Sequence, residues 1–161
     1  MTQKLEISFN SPQCGWMSIG FEDGSSEFHT TTAHAPHETA LPDLMNILTE
    51  IAGKPNSSDG ASSERLLKWN RDPEEFDFRF VRTDETLLIE IYQYPTEERD
   101  VAERELVFTH SGDVSDAMSA FAETFDQLYA DRDTDEFEFN WRQPFPYKEF
   151  ERFRIAVNEL N

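Results

Sequence analysis

His29, His34 and His37 fall within nine residues, with Glu38 and Asp43 close behind. Imidazoles and carboxylates so near one another could hold a divalent metal, and a metal held there could serve a hydrolase. Trusted metal motifs set their ligands on one helix face or a ribbon, whereas this run contains Pro36 and matches no such spacing. The three histidines therefore read first as loop and strand-end residues, and a metal-dependent hydrolase built on them is an alternative. Asp131, Asp133 and Asp135 have the spacing of the first three ligands of a calcium loop. That loop needs Gly at its sixth position and Glu at its twelfth, and here Glu136 and Arg142 stand there. Cys14 has no local signature of a nucleophile. His110-Ser111-Gly112-Asp113 lacks the Gly-x-Ser-x-Gly elbow, and Asp113 is better explained as a helix cap. With no GxGxxG, no phosphate-binding loop and only six glycines, no nucleotide or other cofactor is expected.

What remains is surface chemistry. The 161 residues carry 33 acids and 14 bases, a net charge of −19. Nine acids and one base, Arg132, lie between Asp113 and Glu138. Such a field repels nucleic acids and anionic membranes and attracts a basic protein. Asp126, Asp131, Asp133, Asp135 and Glu136 are the residues expected to steer that partner. Aromatic side chains ringed by charge are typical anchors, and Trp69 and Trp141 are the candidates; Tyr92 and Tyr94 lie on a polar strand edge. Most of the 14 phenylalanines fall on the apolar side of a period and belong to the core. Solubility, or a salty cytoplasm, is the competing explanation of the acidity.

These residues need elements to position them. Leu5, Ile7 and Phe9 alternate with polar residues, as do Met17, Ile19 and Phe21, and each set predicts a strand. Asp23-Gly24 predicts a tight hairpin with positive φ at both positions, leading to a third strand over Glu27–Thr32. Leu41, Leu44, Leu48 and Ile51 form a helical stripe, with Thr39 placed to cap it, Pro42 in its first turn and Gly53 at its end. Strands are predicted over Arg65–Trp69, Phe76–Phe80, Leu87–Ile91 and Glu103–Thr109. Val114, Met118, Phe121, Phe125 and Leu128 form a second helical stripe behind Asp113. Phe150, Phe153, Val157 and Leu160 form a third, with Pro146 in its first turn.

The sum is an α+β domain spanning 1–161, with an antiparallel sheet of about six strands, one inserted helix and two C-terminal helices on one face. No apolar run is long enough to cross a membrane and no apolar leader opens the chain, so a cytoplasmic location is expected. The single cysteine fits a reducing compartment.

"TALPDLMNILTEIAG", "LLKWNRDPEEFDFRF", "LLIEIYQY" and "FNWRQPFPYKEFERF" occur in that order. The pattern resembles a group of small uncharacterised bacterial proteins, through Trp69, Asp72, Pro73, Trp141, Phe145 and Pro146. That resemblance implies an architecture and no catalytic residue. In size and acidity the chain also resembles immunity proteins, which cap a toxin. The expectation is a non-enzymatic interaction module, immunity-like in its sharpest form; a structural or regulatory subunit is a further alternative.

Overall fold

The computed structural model describes residues 4–13, 16–33, 39–53, 63–70, 74–131 and 144–160. The first three strands, β1 (Glu6–Gln13), β2 (Trp16–Glu22) and β3 (Glu27–Ala33), form an antiparallel sheet in the order β1-β2-β3. Ile7 lies opposite Phe21 and Phe9 opposite Ile19, so the apolar sets of β1 and β2 share one face. The turn after β2 differs from the expected tight pair. Four residues, Asp23–Ser26, connect the strands, and only Gly24 has positive φ, at 88°. The Asp23 carboxylate accepts the Ser25 and Ser26 N–H groups, each at 3.0 Å, and this side-chain bridge supports the wider loop.

Helix α1 (Ala40–Ala52) buries Leu41, Leu44, Leu48 and Ile51, the whole predicted stripe. Thr39 occupies the N-cap, but its hydroxyl donates to Asp43 Oδ2 at 2.9 Å instead of accepting a main-chain N–H. Gly53 ends the helix in an extended conformation, φ −63° and ψ 155°. The last carbonyls have another partner, described below.

A second antiparallel sheet follows, from β4 (Ser63–Asn70), β5 (Glu75–Thr83), β6 (Thr86–Tyr94) and β7 (Glu105–Asp113), in the order β4-β5-β6-β7. A single 3-10 turn over Val101–Glu103 delays the start of β7 to Glu105. The chain is α+β, but the described strands number seven in two sheets, not about six in one. Helix α1 intervenes between β3 and β4, and no ladder joins those two strands. The sheets meet through side chains instead. Phe21 of β2 contacts Phe78 of β5 and Phe108 of β7, with ring centroids 5.6 and 5.5 Å apart.

Asp113 caps helix α2 (Val114–Asp131), accepting the N–H groups of Ser115 at 2.8 Å and Asp116 at 3.2 Å. Helix α3 (Tyr147–Leu160) begins one residue after Pro146, whose carbonyl accepts the Phe150 N–H. Helix α1 packs along α3 and β4, and α2 packs along β1 and α3. Phe121 of α2 reaches Phe21, and Phe125 of α2 reaches Phe9 of β1 and Phe153 of α3. Both sheets and all three described helices thus line one aromatic core. No helix of the described residues is long and apolar enough to cross a membrane.

Candidate functional site

The buried stripe of α2 sets what its opposite face carries. With Val114, Met118, Phe121, Phe125 and Leu128 inward, Asp116, Glu123 and Asp126 come out exposed, seven and three residues apart on one side of the helix. Among the described residues no ion pair involves any of the three. Asp131 closes the helix. Its side chain, with Asp133, Asp135, Glu136 and Trp141, lies outside the described residues.

The contrast with the outer face of the second sheet is direct. There Glu64 and Glu90 both bind Arg79, and the Glu64 carboxyl is held below its ordinary range by that hydrogen bond and charge. Glu75 and Asp77 both bind Arg99, at 2.6 and 2.5 Å. Arg99 adopts φ 53°, a strained conformation for a side chain of this size, and its three hydrogen bonds to Glu75, Asp77 and the Phe76 carbonyl hold it there. Tyr94, expected near a polar edge, is buried, and its hydroxyl donates to Asp77. Tyr92 is half-buried beneath the Arg104 guanidinium, 4.1 Å from its ring centroid. These four acids share two arginine partners within the fold; Asp116, Glu123 and Asp126 of α2 make no ion pair among the described residues.

Trp69 is no surface anchor. It is fully buried, stacked on Phe78 at 5.2 Å and edge-on to Phe9 at 6.2 Å. The residue shares its strand face with Leu67, and that parity points inward. The exposed aromatic pair lies elsewhere. Tyr129 of α2 and Tyr147 of α3 are 40% and 39% exposed, with ring centroids 6.0 Å apart. Tyr129 also stacks on buried Phe150 at 5.8 Å, which fixes its ring. It stands three residues after Asp126, so an acid and a rigid, half-wet aromatic share one end of α2.

Of the three histidines, His29 alone falls among the described residues. His29 is exposed on β3 with its Nε2 2.5 Å from Glu27, and Gly20 on β2 leaves it room. A Cβ on Gly20 would lie 2.4 Å from His29 Nδ1 and 2.5 Å from Ser8 Oγ. His34 and His37 lie outside the described residues, and among the described residues no three His, Cys, Asp or Glu side chains gather as metal ligands.

A scan against protein-family models, a search of curated proteins and a search of solved structures each return no match. The residues themselves are what speak to function.

Two buried polar links missing from the sequence reading brace the fold. Arg82 is 5% exposed, and its guanidinium donates to the Ile51, Ala52 and Gly53 carbonyls at 2.9, 3.1 and 3.2 Å and to Asp84 O at 2.8 Å. It serves as the C-cap of α1, where the helix dipole favours positive charge. His110 Nδ1 lies 2.9 Å from Asp23 Oδ2, tying β7 to the β2–β3 turn. Burial would raise the Asp23 carboxyl, but hydrogen bonds from His110, Ser25 and Ser26 prevail and hold it at about 2, below its ordinary 3.8. A carboxyl depressed in the folded state stabilises the fold fully above its unfolded value, and that share is lost as pH falls through the folded one. Thermal melts from neutral pH down to about pH 2 should show stability falling below about pH 4. Asp23→Asn should flatten that fall; an unchanged slope would refute the assignment.

Proposed function

We propose that this protein is a non-enzymatic interaction module that binds a basic protein through the exposed face of α2, in the manner of an immunity-type inhibitor. The observation that carries this reading is the pairing of unneutralised acids with a fixed aromatic edge. Asp116, Glu123 and Asp126 have no basic partner among the described residues, and Tyr129, three residues after Asp126, stands with Tyr147 at the end of the same helix. Unpaired acids steer an oppositely charged partner and raise its encounter rate. Tyrosines held by neighbouring rings supply contact area at little entropic cost, the property that makes them frequent binding anchors. Asp131, Asp133, Asp135 and Glu136, whose side chains lie outside the described residues, follow in the sequence and add four acids to it.

Capture from a lysate of the native host tests the reading. The tagged protein should retain a basic protein at low ionic strength and release most of it near 0.5 M salt, where exposed charges are screened within about 4–5 Å. Retention that ignores salt, or no retained protein at either ionic strength, would rule the reading out.

A further inference from the structure

Between β1 and α2 runs an open groove of about 250 Å³. Lys4, Leu5, Glu6 and Ile7 form one wall; Ala120, Glu123, Thr124 and Gln127 form the other. This wall is four consecutive residues, of which Glu6 and Ile7 open β1 and Lys4 and Leu5 lead into it. An extended chain seen face-on contributes alternate residues, so a run of four presents the start of the strand along its main-chain edge. β1 pairs only with β2 among the described strands, and alternate residues along its other edge carry N–H and C=O groups without a strand partner. The helix wall is one face of α2, at spacings of three, one and three residues. Thr124 is 2% exposed, and its hydroxyl is buried with no hydrogen-bond partner. A free strand edge facing a helix wall is the geometry by which small domains take up an extended peptide as an added strand.

We propose that this groove takes an extended, basic segment of the partner protein, paired along the main chain at the start of β1 and flanked by α2. This rests on the basic-partner reading above and adds the mode of binding. Charge selects the occupant: Glu6 and Glu123 outnumber Lys4 in the groove, and Asp116 and Asp126 stand on the adjoining side of α2. Main-chain bonds supply affinity without sequence preference, and the acids favour lysine or arginine at alternate positions.

The probe is a short, end-blocked peptide alternating lysine and valine, set against the same peptide N-methylated at alternate amides. Methylation keeps charge and side chains and removes the strand's donors. The unmodified peptide should bind, slow hydrogen exchange at the amides of β1, and lose about tenfold in affinity on N-methylation. Glu123→Lys should weaken it about tenfold, and Glu151→Lys on α3, an equal change in net charge, about twofold at most. Equal binding of the two peptides overturns the groove while leaving a basic partner for α2 intact. Absence of peptide binding overturns the groove alone, since lysate capture judges the wider reading independently. Self-association that protects β1 without peptide makes a second copy the occupant and overturns the proposal as well.

Discussion

Replacing Arg82 with methionine should lower the unfolding free energy by about 2–4 kcal/mol, the cost of stranding several carbonyls at one helix end. The side chain donates to three consecutive carbonyls at the end of α1 and to Asp84 in the β5–β6 turn. Methionine fills much of the same space, so the loss reports hydrogen bonds and charge more than volume. Glu85, the nearest carboxylate at 3.7 Å, is exposed and contributes little. Arg82→Lys should recover part of the loss, because an ammonium keeps the charge but reaches fewer carbonyls. Urea unfolding of the three proteins measures this. A methionine variant within about 0.5 kcal/mol of the parent would show that the carbonyls find other partners.

Trp69→Ala should cost about 3–5 kcal/mol, the range for deleting a buried tryptophan. Trp69 joins the two sheets through Phe9 on β1 and Phe78 on β5, so its loss opens a cavity at their junction. The effect should be confined to stability. At a temperature where the variant remains folded, capture of the basic partner should match the parent, because the indole does not reach the surface. Reduced capture by a demonstrably folded variant would return Trp69 to the binding surface.

The contrast between these residues and their first reading shows what periodicity carries. The three described helices follow from stripes of apolar residues, and most of the strands follow from alternation. The division into two sheets was not legible, because whether β3 and β4 pair depends on the path of the chain around α1, which no local pattern encodes. Trp69 was legible by parity with Leu67, yet its place near a strand end suggested exposure. Arg82 continues the inward series Phe76, Phe78, Phe80, but a charged residue closing a strand reads as its solvated tip. The Asp23–His110 link spans 87 residues and joins a turn to a distant strand, so sequence spacing gives no sign of it. The acids of α2 were visible from the start. The aromatic beside Asp126 was not, since the ring of Tyr129 is fixed only once α3 brings Tyr147 and Phe150 against it.

The outer sheet sharpens the meaning of the −19 charge. Arg79 and Arg99 each hold two acids of the second sheet, while Asp116, Glu123 and Asp126 of α2 make no ion pair among the described residues. That these three acids form the partner's site is the central claim, and charge reversal at matched dose tests it. Asp116, Glu123 and Asp126 changed together to lysine should weaken binding of the captured partner by about a hundredfold, as loss of several steering and contact charges does. Glu97, Glu98 and Glu103, exposed in the β6–β7 connection and changed in the same way, should weaken it by about threefold or less. Equal losses from the two variants, measured by titration calorimetry, would mean that the partner senses only net charge and that α2 is not its site.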